Sequence, residues 1–298
     1  MSRGRVAHEI AKTNPWLRIE LFLLILGTLW LPFAAAVYLP SGWFYEMDAA
    51  EIGVLGLLYV GFLIGLPIWG RRVHGWSRSF QHCGLRLQPQ FGKDLGLALL
   101  IGVLGVFALF GVETLMGWAQ PTTPSPRFVR FIFEGLLMAL AVGFAEEMLF
   151  RGWVLAELEQ GYSAMAALLM DAVFFAATHF IKPWSEIVRT LPQFLGLVLL
   201  GVALVWARRS PTGPRGKQLT RLGYPIGLHA GLIWGYYIVN VGGLSEYTDR
   251  VPKWVTGIDN NPLAGLLGLI LLGLIAWQFA KTAKAKTVNE VVEPFVHG

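Results

Sequence analysis

Two carboxylates and a guanidinium, Glu146, Glu147 and Arg151, share one short stretch, AEEMLFRGW (145–153), inside an otherwise apolar run. Ionised side chains are costly in hydrocarbon, so a set of three needs either internal pairing or a task. Helical spacing divides the set. Glu147 and Arg151 are four residues apart with the acid on the N-terminal side, the favourable order for a pair on one helix face. Glu146 is rotated about 100° from Glu147 and is free to face another neighbour. In the following apolar run Asp171, Phe175 and His179 form one i, i+4, i+8 stripe, and His229 lies in a later run. One free carboxylate, one paired carboxylate and two imidazoles suit hydrolysis of a carbonyl substrate. Glu146 would activate water as general base while a histidine holds the developing oxyanion. The alternative places a divalent metal such as zinc on Glu146, His179 and His229, with its bound water as nucleophile. No Ser or Cys stands out as a nucleophile.

The elements that must position these residues are membrane helices. The 298 residues are 55% hydrophobic and 14% charged, whereas a soluble domain carries about 25% charged residues. Apolar runs near the ~20-residue spanning length occur at about 17–39, 53–70, 95–118, 131–150, 162–180, 189–207, 225–241 and 263–280. The sequence therefore predicts an all-α, polytopic transmembrane bundle of about eight spans, forming a single integral membrane domain over 1–298. The first run is long enough to be a retained helix rather than a cleaved signal. The net charge of +5 reflects basic loops between spans, not affinity for nucleic acid. Those loops, 71–94 and 208–224 among them, alternate along the chain in a pattern that puts both termini in the cytoplasm. A lone cysteine, Cys83, excludes an intrachain disulfide. Trp30, Trp43, Trp69, Trp118, Trp184 and Trp254 sit near span ends, where an interfacial belt is expected. Glu113 and Glu134 are close enough to helix ends to reach an interface.

A tight turn near Gly161 makes the fourth and fifth runs antiparallel neighbours. Glu146, 15 residues before that turn, and His179, 18 after it, then lie within about 5 Å of the same depth. His229 fits less well, being only about one turn into its run. Either that helix starts earlier or the hairpin around Gly161 protrudes.

EEMLFR (146–151), FAATH (175–179) and LHAGLI (228–233) resemble, in this order, the three motifs of the CPBP intramembrane proteases, a group that includes the type II CAAX prenyl endopeptidases and bacteriocin-processing proteins. The resemblance covers about 130–242, the expected catalytic core, and leaves the first three runs outside. It implies an intramembrane endopeptidase in which Glu146, His179 and His229 are catalytic and Glu147 and Arg151 support them. Phe175 belongs to the second motif. Asp171 reads first as a supporting or structural acid, and its place in the stripe also makes it a candidate partner to fix a histidine tautomer. The implied partners are a peptide or prenylated-peptide substrate, the lipid bilayer and a membrane-protein partner; the implied location is a bacterial inner membrane or a thylakoid membrane. The stretch GLHAGLIWGYYIVN (227–240) is similar to photosynthetic bacterial members. One position departs from the pattern. Ile233 stands where many members carry the Asn or Asp thought to help bind the oxyanion, and Asn240 is two turns on from that position. The departure favours a second reading, a catalytically inactive membrane scaffold or assembly factor of the same fold; a third is a transporter using the Glu/His cluster as a proton relay. The transporter reading also expects an internal repeat, and none is evident.

Overall fold

The computed structural model describes residues 3–41, 49–210 and 221–292. Trp43, Arg215 and Lys217 lie outside the described residues. Each of the eight apolar runs folds as helix. After α1 (Arg3–Ala11) come α2 (Pro15–Ser41), α3 (Ala49–Val73), the short α4 (Ser79–His82) and α5 (Pro89–Leu115), followed by a brief strand β1 (Ala119–Pro121). The helix carrying the AEEMLFRGW stretch comprises α6 (Phe128–Glu147), a π-helical segment (Met148–Val154) and α7 (Leu155–Leu158), a continuous rod over Phe128–Leu158. Then come α8 (Ala164–Thr178), α9 (Trp184–Thr190), α10 (Gln193–Arg208) and α11 (Gly223–Asn240). Strand β2 (Ser245–Tyr247) pairs antiparallel with β1, and α12 (Lys253–Thr256) and α13 (Leu266–Val292) end the described chain.

The membrane class holds, with fewer helices of full spanning length than the eight apolar runs. Among the described residues five helices are long and apolar enough to cross a membrane: Pro15–Val37, Ile52–Val73, Pro89–Leu115, Phe128–Leu158 and Leu266–Ala283. A sixth arises if α9 and α10, bent by 72° at their junction, count as one broken span. The fifth run falls short because α8 has only 15 residues; its N-terminus is set by Ser163, whose hydroxyl accepts from the Ala166 amide at 3.3 Å. Leu24, Leu29, Leu104, Leu137 and Leu274 are all more than half exposed, as expected of rods whose outer faces meet lipid tails rather than water.

Close helix contact locates the centre of the bundle. Along α11, Gly227 and Gly231 lie against the backbone of α5; a methyl group at either would collide with the carbonyls of Leu95 and Leu99 respectively. Small residues four apart let two helix backbones approach in this way. His229 is two residues from both glycines, so it projects from nearly the opposite side of α11. That side faces α6, where a methyl on Gly143 would come within 3.1 Å of the Ile226 carbonyl. The sequence thus sandwiches α11 between α5 and α6 and turns His229 toward the acidic stretch.

A second buried polar group secures the far end of the Phe128–Leu158 rod. The fully buried Glu157 carboxylate accepts from Arg18 Nε at 2.9 Å and Trp69 Nε1 at 2.9 Å, and lies 2.6 Å from His74 Nε2. Trp69, expected in the interfacial belt, is therefore 7% exposed and committed to this carboxylate. Trp184 and Trp254 are exposed, as a belt requires. Glu134 is half exposed and pairs with Arg130 at 2.6 Å, but Glu113, expected at an interface, is wholly buried.

Candidate active site

Glu146 and Glu147 end the α-helical part of the rod, and Arg151 sits within its π-helical segment. Such wide turns are uncommon and occur frequently at functional sites. Glu147 and Arg151 are both fully buried and pair with each other, Nη1 to Oε1, at 3.0 Å. The same Glu147 oxygen lies 2.8 Å from His229 Nδ1. A carboxylate facing a guanidinium accepts, so His229 Nδ1 carries the proton and its Nε2 presents a lone pair.

On the other side of Arg151, Asp171 Oδ2 is 3.4 Å from Nε. Asp171 thus stands as a supporting acid against Arg151 rather than beside a histidine. Glu147 takes the place beside His229, and Asp171 balances the arginine. Phe175 connects the parts. Arg151 lies 4.2 Å from its ring centroid, within cation–π range. The ring also packs edge-on against His179 at 4.7 Å and against His229 at 6.0 Å. The Phe175 carbonyl is 2.8 Å from His179 Nδ1. A carbonyl only accepts, so His179 too has its proton on Nδ1 and a lone pair on Nε2.

Both free ring nitrogens approach one carboxylate oxygen. Glu146 Oε2 is 3.9 Å from His179 Nε2 and 3.8 Å from His229 Nε2. That oxygen is buried and makes no hydrogen bond with any described residue. Separations of 3.8–3.9 Å are too long for direct hydrogen bonds. They match the span bridged by one water about 2.8 Å from each partner. The carboxylate oxygen and each ring nitrogen thus stand apart by a distance that a proton donor such as water bridges. Among the described residues no group of three or more His, Cys, Asp or Glu side chains is disposed to hold a metal ion.

The misfit in the depth of His229 also has an answer. Helix α11 begins at Gly223, close to expectation, while the Glu146 rod continues to Leu158. His229 is six residues, about 9 Å, inside its helix, and Glu146 is twelve residues, about 18 Å, from the end of its rod. The hairpin around Gly161 therefore projects beyond the start of α11.

Glu146, His179 and His229 open on a cavity of about 410 Å³, within the size range of small-molecule sites. Its other polar lining comes from Lys182, Gln193, Tyr236 and Asn261, and the rest is mainly aliphatic, with Ile233 in the wall. These four polar residues were not found by the motifs. Lys182 lies three residues beyond the second motif, so its proximity was available in the sequence; Gln193 and Asn261 arrive through the α9–α10 bend and the loop before α13. Asn240 does not replace the missing amide. It is exposed and bonds to the Tyr236 hydroxyl at 3.2 Å.

Comparisons with known proteins give two kinds of match. An NADH-quinone oxidoreductase subunit of Anaplasma marginale (strain St. Maries) is 22% identical over 264 residues, covering 79% of this chain and 74% of that protein. The subunit of the same name from Ehrlichia canis (strain Jake) is 23% identical over 272 residues, covering 81% and 72%. No solved structure matches. The other match is confined to one segment and includes every residue of the carboxylate–histidine cluster: residues 128–245 match the family model described as "Type II CAAX prenyl endopeptidase Rce1-like", which assigns this segment to the family its three motifs resemble.

Proposed function

We propose that the protein is an intramembrane endopeptidase of the CAAX-protease type, with Glu146 as the base that activates water. The observation that carries this reading is the convergence of His179 Nε2 and His229 Nε2 on the unbonded Glu146 Oε2, at 3.9 and 3.8 Å. Water held there donates toward the carboxylate and presents its oxygen to a peptide carbonyl in the cavity. As an O–H bond of the water breaks, its proton passes to Glu146 and its oxygen bonds to the carbonyl carbon. The protonated Glu146 then delivers the proton to the departing nitrogen as the C–N bond breaks, leaving an acid and an amine.

The two histidines divide the remaining work according to what stands behind them. Behind His229 is Glu147, part of a buried set of two carboxylates and one guanidinium with surplus negative charge. The Glu147 carboxylate fixes the His229 ring through its Nδ1–H, so the Nε2 lone pair accepts the water's second O–H and keeps the attacking oxygen in place. Behind His179 is only a neutral carbonyl, which suits orientation of the water. We further read the chain as one integral membrane domain with its catalytic core at 130–242, both termini cytoplasmic, in a bacterial inner membrane or a thylakoid membrane. Its substrate is a peptide or prenylated peptide reached from the bilayer surface.

The test is Glu146→Gln in purified, lipid-reconstituted protein. A peptidase loses cleavage by at least about 10³-fold on losing its base, with melting temperature unchanged because Oε2 bonds to nothing in the fold. The second reading, a non-enzymatic scaffold or assembly factor with a membrane-protein partner, is favoured by Ile233 in the cavity wall. It predicts that Glu146→Gln leaves function in the cell intact.

A further inference from the structure

A second hollow lies away from the carboxylate–histidine cluster and shares no lining residue with the main cavity. It is a groove of about 340 Å³ between α5 and α13, walled by Leu97, Ile101, Leu274 and Ile275. Leu97 and Leu274 are more than half exposed, so the groove opens toward lipid. Ser210, just after α10, and Tyr224, in the first turn of α11, line it nearest the helix termini. That end lies at a membrane surface. The spanning stretch of α13 finishes at Ala283, and Lys281 lies over the Trp277 ring at 5.3 Å, a basic and an aromatic side chain where a helix leaves the bilayer.

At the same end stands a guanidinium with unmet bonding. Asp94, Leu97 and Ile101 form an i, i+3, i+7 stripe on α5, and Arg221 Nε is 3.7 Å from Asp94 Oδ2, too far for a hydrogen bond. Arg221 is 4% exposed, and its Nε and Nη2 make no hydrogen bond with any described residue. Those two nitrogens share one edge of the guanidinium, an edge that takes two oxygens of a phosphate. Charged donors left buried and unbonded are costly. The surroundings are also positive. A methyl group on Gly223, Gly227 or Gly231 would meet Phe91, Leu95 and Leu99 in turn, so α5 and α11 run parallel. Their N-termini, each the positive end of a helix dipole, therefore come together beside Arg221.

We propose that this groove binds an anionic phospholipid, with an acyl chain along Leu97, Ile101, Leu274 and Ile275 and the phosphate on the Nε–Nη2 edge of Arg221. The chain and the headgroup each find their own part of the site. From Asp94 to Ile101 is seven residues, about 10 Å along α5, so the apolar walls lie on the hydrocarbon side of the guanidinium. A soluble anion would meet Arg221 but leave the groove empty, and a neutral lipid would fill the groove but leave the two N–H groups unbonded. The inference uses no residue of the carboxylate–histidine cluster and does not depend on the peptidase reading. A lipid held there joins α13 to the parallel pair α5 and α11.

The experiment is native mass spectrometry of the full-length protein in mild detergent. It is titrated with dioleoyl phosphatidic acid and with dioleoylglycerol, which share both chains and differ by the phosphate. The phosphatidic acid is expected to bind at least about tenfold more tightly, the worth of one hydrogen bond to a charged group. Arg221→Gln should remove that preference. Ile101→Trp, which fills the groove from a position beside lipid and leaves Arg221 in place, should weaken the phosphatidic acid complex by a similar factor. If Arg221→Gln does not fold, the Ile101→Trp result decides. Equal binding of the two lipids overturns the proposal, as does a preference that persists in Arg221→Gln or a complex unaffected by Ile101→Trp. Displacement of the phosphatidic acid by millimolar inorganic phosphate also overturns it, by assigning Arg221 to a soluble anion.

Discussion

His229 Nδ1 and Arg151 Nη1 converge on a single oxygen of Glu147, at 2.8 and 3.0 Å, in a fully buried setting. The carboxylate therefore serves both the fold and the ring that faces Glu146. Glu147→Gln keeps the shape and removes the charge, leaving Arg151 with Asp171 alone. The expected result is destabilisation by about 3 kcal/mol, read as a lower melting temperature in detergent, with cleavage down by at least about tenfold. A double-mutant cycle with Arg151→Met should show strong coupling. Additive effects would mean that the pair does not act as a unit.

Gly231 gives a test of positioning at a distance from any reacting group. Its added methyl in Gly231→Ala would meet the Leu99 carbonyl, and a backbone atom cannot turn aside as a flexible side chain can. The variant should shift α11 away from α5, at a cost of about 1–3 kcal/mol, and carry His229 out of register with Glu146. Loss of cleavage out of proportion to loss of stability is the expected result. Normal cleavage would show that the two helices can separate without disturbing the histidine.

Glu157 is expected to matter to stability more than to chemistry, because it belongs to residues that tie α2 and α3 to the catalytic rod. Glu157→Gln leaves Arg18 buried without its charge partner and should cost about 3–5 kcal/mol. Trp69 loses its carboxylate acceptor, so the melt should be accompanied by a change in tryptophan emission. Unchanged stability would remove the case that α2 and α3 brace the site.

Cys83 lies in the connector between α3 and α5, fully buried, and burial pushes its thiol up to about 12. The thiolate is the reactive form, so in the folded protein it is scarce at any pH well below 12. Maleimide labelling should stay negligible from about pH 7 to 9 in nanodiscs and become rapid in denaturant, where an ordinary thiol ionises near 8.5. Rapid labelling of the folded protein would show that the connector opens.

The site was legible where helical spacing alone decides direction. Glu146 and Glu147 had to diverge, Glu147 and Arg151 had to pair, and His179 had to lie near the depth of Glu146. What spacing could not show was which acid would stand behind which ring. Asp171 shares a stripe with His179, yet Arg151 crosses from the neighbouring helix to claim it, a tertiary contact with no trace in the i+4 pattern. The difference between eight apolar runs and five straight spanning helices has a related cause. The fifth run includes Thr178 and His179, but its helix stops at Thr178, and the sixth bends by 72° around Leu191–Pro192; hydrophobic content does not report where a helix ends or turns. Gln193 and Asn261 reach the cavity through such bends, so nothing in their own neighbourhoods marked them.

The π-helical segment Met148–Val154 has a consequence for how this rod could evolve. An extra residue in one turn changes the angular phase between the helix before it and the helix after it by about 100°. Glu157 locks the downstream half against α2 and α3, so the segment acts as an indexing step that sets the heading of Glu146 and Glu147. Shortening it by one residue would restore a regular helix and swing both acids around the axis. A lineage could thus abolish the pocket by one codon deletion while every helix remained in place.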